Sequence, residues 1–110
     1  MKFIYKNDKG KDDHWKQCEK IHAPFIELNR VSNECINVFY DITNYQLDFE
    51  EISNYINKLY SAYVEFFMFS DPMITGLYDQ YYFFNLIVKS EHAEFIAGKL
   101  YDYLLFRLNS

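Results

Sequence analysis

Three residues near the start of the chain have side chains that often bind metal ions. His14, Cys18 and His22 follow one another at intervals of four residues, so a helix would place all three on one face. The helical rise then separates the two histidines by about 12 Å, whereas zinc ligands lie about 2.0–2.3 Å from the metal. At most two of the three could bind one ion. We interpret the pattern as a partly buried helix face with Trp15 and Cys18 inward, and we expect no metal and no other cofactor.

A cysteine nucleophile is the second chemistry to weigh. Cys18 or Cys35 would have to meet His14, His22 or His92, because a thiol nucleophile needs a base in hydrogen-bond reach and a third group that orients the base. None of these residues stands in a local signature of such a site. Cys35 is more simply interpreted as a small core residue.

Carboxylates could perform acid–base chemistry, for example Asp41 together with Asp48 or Glu51. Helix capping accounts for Asp48 and Glu51 without catalysis, however. The three glycines are isolated, so the chain has no glycine-rich loop to hold a phosphate. These patterns predict that the protein is not an enzyme.

The carboxylates are nevertheless concentrated where a strand ends and a helix begins, and aromatic residues lie among them. Negative charge speeds the encounter with a Lys/Arg-rich surface, and aromatic rings anchor interfaces. The stretch therefore predicts a binding site for a basic protein; the alternative is ordinary capping on a solvated face. The predicted site consists of Asp41, Asp48, Glu50, Glu51, Tyr40, Tyr45 and Phe49.

A strand and a helix must position this site. Apolar and polar residues alternate over 36–43, which predicts a strand with one buried face. Asp48 is placed to cap the next helix, and Glu51 to reach back to the cap amide. Leu47 and Ile52 stand where a hydrophobic staple would join them. The apolar stripe of this helix is Ile52, Tyr55, Ile56, Leu59 and Tyr63.

Residues 2–6 predict a short first strand. Asp12 or Asp13 would cap a helix that ends by His22, because Pro24 disfavours helix in the residue before it.

A hairpin is predicted just before the central strand. Residues 25–31 form its first strand, with Ile26 and Leu28 on the buried face, and Ser32-Asn33-Glu34 forms the loop.

Residues 64–70 are ambiguous by periodicity. They form either a hairpin with a strand over 80–89 or an extension of the helix to Phe69, since no turn residue separates Tyr60 from Val64. The strand over 80–89 has large apolar residues on both faces, which indicates an interior strand covered on both sides.

Ser90 is placed to cap a last helix over 91–108. An amphipathic helix with apolar residues on a second face is either deeply buried or offers a contact surface. Its main stripe is Ala93, Ile96, Ala97, Leu100, Leu104 and Leu108, and the second line is Phe95, Tyr103 and Phe106.

These elements predict a single α+β domain over residues 1–110. It would contain an antiparallel or mixed sheet of about four to five strands, with two to three helices packed mainly on one face. The expected order is β-α-β-β-α-β-β-α.

Charge is distributed unevenly along the chain. The formal net charge is −5, yet residues 1–20 carry a net +2 and residues 21–110 a net −7. Nucleic acids and anionic membranes would be repelled by such a body, whereas a basic protein would be attracted. The alternative is that net negative charge simply maintains solubility.

The chain shows no secretory signal and no apolar run long enough to span a membrane. We expect a cytoplasmic protein with two reduced thiols.

In size, acidity, aromatic content and lack of catalytic residues, the chain resembles the small acidic bacterial immunity proteins. The resemblance implies that it neutralises a cognate basic toxin, such as a nuclease, by occluding the active site. Two alternatives are an inhibitor or adaptor of a mobile element that binds another host complex, and a small-molecule-binding domain with a tyrosine-lined pocket. A homodimer through the C-terminal helix is also compatible with the sequence.

Overall fold

The structure is a computed structural model, and it describes residues 3–8, 26–41, 48–68 and 83–109. They contain four strands and two α-helices, with 3₁₀ turns at Val64–Phe66 and Ser90–His92. The elements are β1 (Phe3–Lys6), β2 (Ile26–Arg30), β3 (Cys35–Asp41), α1 (Phe49–Ala62), β4 (Phe83–Lys89) and α2 (Ala93–Leu108).

The four strands form one mixed sheet in the order β1-β2-β3-β4. β1 runs parallel to β2, while β2–β3 and β3–β4 are antiparallel. Val38 in β3 lies between Leu28 and Leu86, and all three side chains are buried on one face. A mixed sheet with helices confirms the predicted α+β class.

Both helices cover this same face of the sheet. Their buried residues form one core with alternate residues of all four strands, because side chains in register on neighbouring strands share a face. α1 contributes Ile52, Ile56 and Leu59, and α2 contributes Ala93, Ile96, Ala97, Leu100 and Leu104. The predicted main stripes are confirmed, except that Tyr55, Tyr63 and Leu108 are only half-buried.

The predicted hairpin is present between β2 and β3. The amides of Val31 and Ser32 both donate to the Cys35 carbonyl at 3.2 Å. The Ser32 hydroxyl accepts hydrogen bonds from the amides of Glu34 and Cys35. Cys35 is buried, as expected of a core residue.

Neither prediction for residues 64–70 is correct over the residues described. α1 ends at Ala62, and the chain then makes a 3₁₀ turn instead of a strand. Among the described residues of this segment, Phe67 forms an isolated bridge to Val88, and the Met68 amide donates a hydrogen bond to the Ile87 carbonyl. A single buried ring replaces the alternating pattern that a strand would need.

Over the described residues, β4 is not the interior strand covered on both sides that its apolar pattern predicts. β4 ends the described strand order and pairs with β3 alone among the named strands. Phe84, Leu86 and Val88 are fully buried, whereas Phe83 and Ile87 are half-buried. The strand therefore buries one face, and its apolar residues on the other face remain partly accessible.

Ser90 does not cap the last helix. Its hydroxyl donates to the Asn33 carbonyl at 3.1 Å and accepts from Arg30 at 2.9 Å. The α-helix proper begins after His92, whose side chain makes no capping hydrogen bond. The β2–β3 hairpin thus competes successfully for the Ser90 hydroxyl.

The predicted first helix, which contains His14, Cys18 and His22, lies outside the described residues, as does Leu47 of the staple. Across the described ranges, neither helix is long and apolar enough to cross a membrane.

Candidate functional site

The two helices run antiparallel, so the start of α1 lies beside the end of α2. Glu51 pairs with Arg107, and one turn further on the Tyr55 ring stacks on that of Tyr103. Two turns beyond, Tyr63 contacts Phe95 edge to face. The predicted acidic site therefore borders a seam of paired side chains from both helices.

Asp48 caps α1 as predicted. One carboxylate oxygen accepts hydrogen bonds from the amides of Glu50 at 2.9 Å and Glu51 at 3.4 Å. The helix dipole also favours negative charge at this end. We call Asp48, Glu50 and Glu51 the acidic rim. Local backbone geometry fixes it, because the cap defines where the first turn begins.

Glu51 does not complete the predicted capping box. Its carboxylate instead lies 2.5 Å from the Arg107 guanidinium, with the two side chains 41% and 36% exposed. A cation from within the protein therefore partly neutralises Glu51. Asp48 and Glu50 remain exposed to solvent, so the outward charge of the acidic rim is carried mainly by these two residues.

The aromatic members of the predicted site have other positions. Tyr40 is fully buried and belongs to the core, so it does not offer a ring to a partner. Phe49 is half-buried and stacks on Phe84 with centroids 5.0 Å apart. Asp41 ends β3 opposite Phe83, and its side chain lies outside what the structure describes, as does all of Tyr45.

The Tyr55–Tyr103 pair was not predicted as part of the site. Burial is the main cause that raises the pKa of Tyr55, and the nearby Asp102 carboxylate is the second. Burial, followed by Glu51, raises the pKa of Tyr103, although Arg107 acts in the opposite direction. Both phenols are therefore held in the protonated form chiefly by burial, and a carboxylate near each of them acts in the same direction. The sequence signal for Tyr103 was its place on the second apolar line of α2.

A second aromatic group lies at the other end of the seam. Phe66 stacks on His92 with centroids 3.8 Å apart, and both Phe66 and Tyr63 contact Phe95 edge to face. These contacts explain why the 3₁₀ turn after α1 packs against α2. A surface cavity of about 270 Å³ is lined by Ala62 to Phe66.

Arg30 organises a polar group near the β2–β3 hairpin. Its guanidinium donates to the Ser32 carbonyl and the Ser90 hydroxyl, both at 2.9 Å, and pairs with Asp8 at 3.3 Å. A cavity of about 200 Å³ beside it is lined in part by Tyr5 and Glu94, which hydrogen bond to each other. Arg30 thereby joins the segment after β1, the hairpin and the turn before α2, which is a structural role.

The sheet face opposite the helices carries amides that pair with one another. Asn37 accepts a hydrogen bond from Asn29 at 3.2 Å and donates one to Asn85. Lys6 pairs with Glu27 at 2.9 Å on the same face. Such cross-strand pairs stabilise a sheet, and neutral amides supply no acid or base.

No group of three metal-ligating side chains occurs within the ranges the structure describes. Comparison of the chain with protein-family models, curated proteins and solved structures finds no match in any of the three. Within the described residues, the acidic rim and its aromatic neighbours form the candidate site.

Proposed function

We propose that this chain is a binding protein rather than an enzyme, and that it captures a basic protein through the acidic rim. The observation that carries the proposal is the exposure of Asp48 and Glu50 on a rigid, capped helix start. Fixed carboxylates lose little conformational freedom on binding, so more of the electrostatic attraction contributes to affinity.

The surroundings of the acidic rim support the same reading. Tyr103 lies half-buried next to it and is held in place by its stack on Tyr55. Ordered aromatic side chains of this kind are frequent anchors in interfaces. Glu51 adds negative field at Tyr103 even while it is paired with Arg107.

The partner class we propose is a basic toxin, as for an immunity protein. A nuclease active site binds phosphates and therefore presents Lys and Arg side chains. The carboxylates of Asp48 and Glu50 would occupy the place of the phosphates and block the cleft. Such inhibition requires tight, complementary binding and no chemistry in the inhibitor.

Affinity capture tests the proposal directly. The wild-type chain, immobilised and incubated with lysate of its native cell, is expected to retain a basic protein that mass spectrometry identifies. The D48N/E50K variant is expected to bind it at least about tenfold more weakly. Asparagine is an equally good helix cap, so D48N removes charge while preserving the start of α1.

Glu34 provides the matched control. It is exposed in the β2–β3 hairpin and lies outside the acidic rim. E34K makes the same charge reversal as E50K. We expect it to leave affinity within about twofold, because an exposed charge that lies away from the contact contributes little to binding. If D48N/E50K binds normally, or E34K weakens binding equally, the acidic rim is not the site.

Co-expression distinguishes a toxin from another basic partner. If the captured protein arrests growth when it is expressed alone, co-expression with the wild-type chain should restore growth, and co-expression with D48N/E50K should not. A captured protein that is harmless when expressed alone would contradict the immunity role while leaving the binding site intact.

A further inference from the structure

Four exposed residues of α2 form a stripe on the surface of the helix layer. Phe95, Lys99, Asp102 and Phe106 recur at intervals of four, three and four residues, which places them on one helix face. Phe95 is 43% exposed and Phe106 66% exposed. We call these four residues the α2 stripe. Phe95 also contacts Tyr63 and Phe66 within the protomer, but part of its ring and most of Phe106 remain accessible, so this helix face offers aromatic surface at both ends of a charged pair.

From either end, the α2 stripe has the order aromatic, charged, charged, aromatic. Reversing its direction exchanges only the signs of the two charges. Phe95 and Phe106 are equally distant from the midpoint between residues 100 and 101, and so are Lys99 and Asp102. A second copy of α2 laid antiparallel would place Phe95 against Phe106 and Lys99 beside Asp102. A parallel copy would instead bring like charges together, which is unfavourable.

We propose that the protein forms a homodimer through the α2 stripe, with the two copies of α2 antiparallel about a twofold axis. Each Lys99–Asp102 contact would then occur twice, as an isologous interface requires. The partner is a second copy of this chain because the stripe is complementary in charge to itself. This proposal does not depend on the function proposed above, since it uses no residue of the acidic rim.

Two local features favour close approach of the helices. A Cβ atom added at Gly98 would meet nothing within 4 Å, so the backbone beside the α2 stripe is open to a neighbouring helix. Lys99 already lies over the Phe95 ring, with its ammonium 5.5 Å from the centroid. The lysine is therefore held along the helix surface, in reach of a carboxylate on the opposite copy.

Sedimentation velocity over a range of protein concentrations tests the dimer. We expect wild-type protein to self-associate reversibly. K99D would face Asp102 with a second carboxylate, and D102K would face Lys99 with a second ammonium. Each single variant should reduce the association constant at least about tenfold, because the repulsion occurs twice in the dimer.

Charge exchange tests whether opposite charges are needed at these two positions, and a mixture of the two single variants tests whether the contacts join separate copies, because Lys99 and Asp102 are also close enough to interact within one helix. The K99D/D102K variant should recover the wild-type association constant to within about threefold, because both opposite-charge contacts are restored. An equimolar mixture of K99D and D102K should form a heterodimer more strongly than either variant forms a homodimer. F106S should weaken association, and circular dichroism should show native folding in every variant.

A wild-type protein that is monomeric at all concentrations would overturn the proposal. A dimer that persists unchanged in both K99D and F106S would also overturn it, since another face would then form the interface. Loss of association in K99D without recovery in K99D/D102K or in the mixture would reject the antiparallel arrangement.

Discussion

The ring of Tyr55 lies face to face with the ring of Tyr103, with centroids 4.0 Å apart and planes inclined by only 3°. The Tyr55 hydroxyl also donates a hydrogen bond to the Lys99 carbonyl at 3.0 Å. One side chain of α1 therefore contacts α2 at two successive turns. Together with Glu51–Arg107, these contacts set the register of the two antiparallel helices and hold the acidic rim in place.

The tyrosine pair predicts a loss of stability at high pH. Burial is the main cause that raises the pKa of both tyrosines. The second cause is the Asp102 carboxylate for Tyr55 and the Glu51 carboxylate for Tyr103. The folded state therefore keeps these protons where the unfolded chain has begun to release them, and the free energy of unfolding falls with rising pH. The contribution of the two protonated tyrosines to the free energy of unfolding is fully present below about pH 10 and is lost as the pH rises through their folded-state pKa values.

Urea unfolding of wild-type protein and of the Y55F/Y103F variant, from about pH 8 to about pH 11, measures this effect. Phenylalanine retains ring stacking but cannot ionise. The decline of the unfolding free energy with pH should be shallower in the variant. Equal slopes for the two proteins would contradict the assignment of raised pKa values to this pair.

The Glu51–Arg107 ion pair should contribute modestly to stability. Both side chains are more than a third exposed, and solvent screens pairs of this kind, so we expect a coupling energy of about 0.2–1 kcal/mol. A double-mutant cycle with E51Q, R107Q and the double variant isolates this quantity in urea unfolding. The coupling should shrink in high salt; a coupling energy that is the same at low and high salt would contradict an electrostatic origin.

Much of the fold could be predicted from local patterns. The alternation over β3, the Asp48 cap and the spacing of Ile52, Ile56 and Leu59 each report a short-range preference, and the structure agrees with all of them. Local patterns did not predict how β4 ends the described strand order. Apolar residues on both faces of β4 indicate burial, but they do not specify which element covers each face.

The site was harder to predict because its contacts join distant parts of the chain. Glu51 and Arg107 are 56 positions apart in sequence, so a capping box with the neighbouring amide was the simpler expectation for Glu51. Ser90 likewise bonds to the β2–β3 hairpin and not to its own helix. The burial of Tyr40, in contrast, could be predicted locally, because the residue lies on the apolar face of β3.

Leu104 and Phe106 provide a matched test of which face of α2 supports the fold. Leu104 is fully buried, whereas Phe106 is 66% exposed. L104A should lower the free energy of unfolding by about 2–5 kcal/mol, because it leaves a cavity in the core. In dilute solution, F106A should change it by no more than about 0.5 kcal/mol. A large loss in F106A would show that the ring packs within its own protomer, contrary to its exposure.

We expect replacement of Gly98 by alanine, in the middle of α2, to stabilise the protein. Glycine weakens a helix interior by about 0.5–1 kcal/mol relative to alanine, because the unfolded chain has more conformations to lose. The added methyl group of G98A would meet nothing within 4 Å, so no clash offsets the gain in helix propensity. We expect G98A to raise the free energy of unfolding by about that amount. Urea unfolding in the F106S background measures the change without a contribution from self-association. A destabilised G98A variant there would mean that the space above Gly98 is filled within the protomer.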